Sequence, residues 1–157
     1  MKAASISDIK NELGNCSASR LAALCLQLAK YKKDNKEFLT YLLFEEDDRD
    51  AYISSVKKEI DEQFAGINSS QLYFAKKSLR KILRITGKHI RYTGAKQAEA
   101  ELLIYFCKKM KNSGIRYETS TVLMNLYQAQ LKKINAAIAG FHEDEQYDYL
   151  KEIKKLS

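Results

Sequence analysis

Apolar residues recur at three- and four-residue steps along most of the chain, the spacing that gathers them on one face of an α-helix. Tyr52, Ile53, Val56, Ile60, Phe64 and Ile67 follow it and leave Lys57, Lys58, Asp61 and Glu62 between them. A surface helix with one buried face is predicted there. The run FLTYLLF, 38–44, is apolar nearly all round. A later segment carries Leu102, Tyr105, Phe106 and Met110 on one side, with Ile104 and Cys107 on the other. Both are expected to be interior helices packed on more than one neighbour. Leu123, Tyr127, Ile134, Ile138 and Phe141 make the stripe of a further helix, and Tyr147, Leu150 and Ile153 that of a closing one. Phe64, Leu83, Phe106 and Ile134 lie in the centres of their stripes and are expected in the core.

The periodic runs are interrupted by Gly, Ser, Thr, Asp and Asn and never by Pro, which is absent. Gly14, Gly66, Gly94, Gly114 and Gly140 fall where runs stop, as if each supplied the left-handed residue that closes a helix. Cap candidates are Ser5 or Ser7, Ser17 or Ser19, Asp34 with Glu37 as a capping box, Asp47 or Asp48, Asn68 or Ser69, Thr119, and a residue near His142. Eight helices are predicted, at 5–13, 18–32, 35–45, 49–65, 69–92, 95–112, 120–139 and 143–156. Short connections force consecutive helices antiparallel. The expected fold is therefore all-α: one domain over 1–157, its helices packed as antiparallel hairpins in a compact bundle or a short solenoid.

Helix pairs of this size resemble those of α-solenoid proteins of the HEAT, armadillo or tetratricopeptide kind. There is no internal repeat, and the Trp of the tetratricopeptide pattern is missing. The run from Leu72 to Arg91 followed by GAKQAEAELLIYFCKK also resembles small bacterial all-helical proteins to which no activity is assigned. Neither resemblance implies a catalytic or binding residue.

At 157 residues, 45% hydrophobic and 30% charged, the chain has the make-up of an ordinary globular domain. Its start lacks the apolar run of a leader, and LAALCLQLA and AELLIYFC are too short to span a bilayer. The expected setting is the cytoplasm, without a membrane partner. Cys16, Cys25 and Cys107 are odd in number and widely spaced, which predicts free thiols and no metal site. Cys107, inside LLIYFC, reads as a buried small hydrophobe, and Cys16, near a connection, as the most reactive thiol. His89 and His142 have no H-E-x-x-H around them, and no phosphate-cradling glycine motif or serine elbow is present, so no cofactor is expected. The acids Glu45, Glu46, Asp47, Asp48 and Asp50, like Glu143, Asp144 and Glu145, sit where helices begin and complement the positive helix end.

Charge changes the picture in one place. Residues 67–116 hold 12 basic and 2 acidic side chains, a net of +10, against a net of +7 for the whole chain. On a 100° wheel Leu72, Ala75, Leu79, Ile82, Leu83, Thr86 and Ile90 share one face of the fifth helix. Lys77, Arg80, Lys81, Arg84, Lys88 and Arg91 share the opposite one, with Tyr73 and Tyr92 at its flanks. From Tyr73 to Arg91 the ridge runs roughly 27 Å. Neighbouring like charges repel by a few tenths of a kcal/mol per pair, so the ridge is a candidate for binding an acidic protein surface or a nucleic acid, where tyrosines stack on unpaired bases. The function expected first is a non-enzymatic binding or scaffold domain acting through protein–protein contacts. Nucleic-acid or other polyanion binding by the fifth helix comes second, and an enzyme without a recognisable motif third.

Overall fold

The computed structural model describes all 157 residues and contains eight α-helices, two 3-10 turns and no strand. The fold is all-α, and every predicted helix is present with its ends within three residues of expectation. By its backbone contacts the chain divides into two compact units, Met1–Glu45 and Glu46–Ser157.

The first unit holds α1 (Ile6–Gly14), α2 (Ala18–Tyr31) and α3 (Lys33–Phe44). Ser5 caps α1 in a capping box with Asp8, and the Ser17 hydroxyl caps α2 by accepting from the Arg20 amide. The Asp34–Glu37 box does not open α3: Lys32 is its N-cap and Asp34 lies in the first turn. With Lys32 alone between them, α2 and α3 form a tight hairpin, tied by the Asn35 side chain donating to the Leu28 carbonyl at 2.9 Å. Only Tyr41 of the unit is buried. The expectation of an interior α3 therefore fails, because Phe38, Leu42, Leu43 and Phe44 all stand in solvent. An apolar circumference states what a helix can bury, and no neighbour covers this one on every side.

The second unit holds α4 (Arg49–Ala65), α5 (Leu72–Thr93), α6 (Lys96–Lys111), α7 (Thr121–Ile138) and α8 (Glu143–Lys154). Here α6 is the axis: it contacts α4, α5 and α7, and it buries Ala98, Ala100, Leu102, Leu103, Ile104, Phe106, Cys107 and Met110. Phe106 meets Phe64 of α4 with ring centroids 5.6 Å apart. Asp48 caps α4 by accepting from the Ala51 amide at 3.0 Å, which gives that member of the acidic run its local role. α5 buries Ala75, Leu79, Ile82 and Thr86, while Leu83 is only half-buried, one position off the centre of the stripe. α8 packs through Ile153, with Leu156 just beyond it, whereas Tyr147 and Leu150 are exposed, contrary to expectation. Only Gly94 (φ 59°) and Gly114 (φ 75°) take the left-handed conformation. Gly14, Gly66 and Gly140 end their helices without it.

Candidate functional site

The basic ridge is carried by α5, whose start has no side-chain cap and whose end is closed by Gly94. Lys77, Arg80, Lys81, Arg84 and Arg91 are exposed, and Lys88 is half-buried. None of the five exposed cations is ion-paired; the molecule's ion pairs fall on other residues. Tyr73 is 63% exposed, with the Lys77 ammonium 4.7 Å from its ring centroid and Phe74 packed edge-on against it. Tyr92 behaves differently: it is half-buried, edge-on to His89 at 6.1 Å. Of the two tyrosines placed beside the ridge, Tyr73 alone offers an open ring.

His89 belongs to a cluster that the sequence did not reveal. Its Nε2 lies 2.9 Å from a Glu59 carboxylate oxygen and its Nδ1 2.6 Å from the Tyr52 hydroxyl. A carboxylate only accepts, so Nε2 carries the hydrogen and, in the neutral ring, Nδ1 accepts from Tyr52. The three residues join α4 to α5. The separation of His89 from Glu59 by 30 positions hides the contact from any local pattern.

A second polar seam links α4, α6 and α8. Tyr105 donates to both oxygens of Asp61 at 2.8 Å, and Lys109 lies 2.9 Å from the same carboxylate. The Lys109 ammonium and the Tyr105 hydroxyl hold the Asp61 pKa below the usual range, while desolvation first, and then Asp61, push Tyr105 up to about 12. Lys57 donates to Glu101 at 3.2 Å. Lys108 and Lys155 both pair with Glu152 and bring its carboxyl down to about 2. Lys57 and Asp61 were placed on the solvent side of α4 by their spacing, yet both are half-buried in this seam. No group of three or more His, Cys, Asp or Glu side chains is placed to hold a metal ion.

The thiols are free. Burial raises Cys107 to about 12, so it is a protonated core side chain and no nucleophile at neutral pH. Cys25 is exposed, and Cys16, expected to be the most reactive thiol, is half-buried with its thiol directed at the Glu12 carbonyl.

The other conspicuous surface is apolar and belongs to the first unit. Leu28 is 61% exposed, Tyr31 83%, Leu43 63% and Phe44 77%. Two grooves flank the α2–α3 hairpin. One, of about 530 Å³, is lined by Leu26, Ala29, Leu39, Leu43 and Phe44 together with Lys30, Lys33 and Lys36. The other, of about 240 Å³, runs along Cys25, Leu28, Phe38 and Leu42. Ala29 and Leu39 line both. No helix is long and apolar enough to cross a membrane. No family model matches the chain, and no curated protein or solved structure matches it.

Proposed function

We propose that the protein is a non-enzymatic scaffold that works by protein–protein contact, with the α1–α3 unit as its docking face. The observation that carries this reading is the contiguous apolar surface of α2 and α3. Monomeric proteins seldom leave such a surface open, and apolar patches rimmed by polar groups mark interaction sites. Here the exposed Lys30, Lys33 and Lys36 line the larger groove beside its apolar side chains. The helical hairpins of α-solenoid proteins, which these helix pairs resemble, build binding surfaces in the same manner. The polar clusters of the second unit serve its own helices: Tyr52–His89–Glu59 ties α4 to α5, and Glu152 anchors α8 to α6. A cytoplasmic setting, where thiols stay reduced, suits the three free cysteines.

A second reading is favoured by a separate observation, the five unpaired cations of α5 beside the exposed Tyr73. Such a ridge supports polyanion binding, with phosphate neutralisation and counterion release as the driving term.

One experiment separates the two. The tagged protein is recovered from its native cell, with and without nuclease, as wild type, as Leu28→Glu with Leu43→Glu, and as Arg80→Gln with Arg84→Gln. All four substituted side chains are exposed, so the variants fold. Loss of partners in the leucine variant alone, with no effect of nuclease, is the expected result. Loss in the arginine variant and on nuclease treatment transfers the function to the ridge. Partners indifferent to both sets of changes would sink both readings.

A further inference from the structure

We infer that the ridge of α5 takes single-stranded nucleic acid, its phosphates along the line of cations and a base on the rings of Tyr73 and Phe74. The inference rests on the polyanion reading and names the ligand. No acid occurs between Glu62 and Glu99, so nothing on α5 itself offsets Lys77, Arg80, Lys81, Arg84 and Arg91. Of the α4 carboxylates, Glu59 is held by His89 at 2.9 Å, and Asp61 by Tyr105 and Lys109 of α6. The five exposed cations therefore stay open to phosphate, and each contact releases a counterion.

Their arrangement fits one strand rather than two. At 3.6 residues per turn Tyr73, Lys77, Arg80, Arg84 and Arg91 fall within an arc of about 60°, and Lys81 widens it to about 100°. A helix laid in the major groove, about 12 Å wide, passes between two phosphate walls and meets them with cations on both of its sides. The sides of α5 carry Leu83 and Gly87 with Lys76 on one hand, and Ile85 and Tyr92 on the other, all half-buried. One line of charge matches one sugar–phosphate chain. From Tyr73 to Arg91 it advances about 27 Å, the length of about eight nucleotides at about 3.4 Å each. The aromatic end chooses between one strand of a duplex and a free strand. Tyr73 is 63% exposed and Phe74 49%, with ring centroids 5.4 Å apart. Paired bases keep their faces inside the stack, whereas unpaired bases stack on exposed rings. The Lys77 ammonium, 4.7 Å from the Tyr73 centroid, sets a cation beside a base seated there, within reach of its phosphate.

The test is binding of the purified full chain to an oligothymidine of about 12 nucleotides, a duplex of the same length, heparin, and phosphatidylserine-containing vesicles, across a salt series. The strand should bind at least about tenfold more tightly than the duplex. Its log affinity should fall against log salt with a slope of about 3.5, five cations at about 0.7 each. Arg80→Gln with Arg84→Gln should lower that slope by about 1.4. Tyr73→Ala with Phe74→Ala should weaken the strand at least about tenfold, leave heparin unchanged and keep the helical spectrum, since both rings are exposed. Tyr73→Phe keeps the ring and should bind as wild type does. A duplex bound as tightly as the strand, or a strand indifferent to the loss of both rings, overturns the inference and leaves the polyanion reading standing. Vesicles bound while neither nucleic acid is would do the same. If no probe binds below about millimolar at low salt, the polyanion reading falls with it.

Discussion

The two units are written in the same helical period and end in opposite states. In α6, eight side chains are buried along sixteen residues, because three helices surround it. In α3, an equally apolar stretch buries Tyr41 alone, and within its unit it packs against α2. The difference teaches that hydrophobicity around a helix measures demand for burial, and that topology decides the supply. Where demand exceeds supply within the chain, as on Leu43 and Phe44, apolar surface is left open to solvent.

The sharpest way to break this comparison is to truncate both regions. Phe106→Ala removes a fully buried ring tilted against that of Phe64 and should cost roughly 3 to 5 kcal/mol in urea unfolding. Leu28→Ala, on the exposed side of α2, should stay within about 0.5 kcal/mol. Leu83→Ala should fall between them, since Leu83 is half-buried. Comparable costs at Phe106 and Leu28 would mean that the first unit is as well packed as the second.

How much of this was legible beforehand depends on range. Helix existence and most termini follow from local chemistry, which is why Ser5, Ser17 and Asp48 cap as expected. Burial was legible for α4 and α6, whose stripes meet partners, and illegible for α3, where the missing neighbour leaves no mark in the sequence. Nothing at Glu45 announces a division either, as no Gly or Pro stands there. The ridge residues of α5 could be named because a wheel needs only one helix. The Tyr52–His89–Glu59 and Asp61–Tyr105–Lys109 clusters could not, since each requires knowing which helices lie side by side. Tyr92 shows the same limit: the wheel puts it beside the ridge, and the contact with His89 turns it inward.

A smaller effect sharpens the contrast through pH, since the polar seam exists only in the second unit. The ammonium groups of Lys108 and Lys155 bring the Glu152 carboxyl from 4.5 in the ordinary state to about 2. A depressed carboxylate stabilises the fold fully above its unfolded value and loses that contribution as pH falls through its folded one. Anchoring of α8 should therefore be constant above about pH 5 and weaken between 4.5 and about 2. Asp61, held down by Lys109 and Tyr105, weakens the α4–α6 seam as pH falls below its ordinary 3.8. Glu152→Gln should be less stable than wild type at pH 7 and equal to it near pH 2. A difference between the two proteins that persists unchanged to pH 2 would show that the pair with Lys108 contributes nothing to the fold.

The smallest predicted effect probes the one flaw in the better-packed unit. Thr86 is 1% exposed in the buried stripe of α5, and its hydroxyl has no hydrogen-bond partner. Folding takes that hydroxyl out of water without replacing the bonds it loses, at a cost of about 1 to 3 kcal/mol. Valine keeps the shape and removes the polar atom. Thr86→Val should therefore raise stability by about 1 kcal/mol, while Thr86→Ser keeps the hydroxyl, loses a methyl and should cost about 1 kcal/mol. Urea unfolding should rank the three proteins Val above Thr above Ser. If valine proves destabilising, the hydroxyl is bonded in solution, for instance to a carbonyl one turn back along α5, and the core of the second unit has no unmet polar demand.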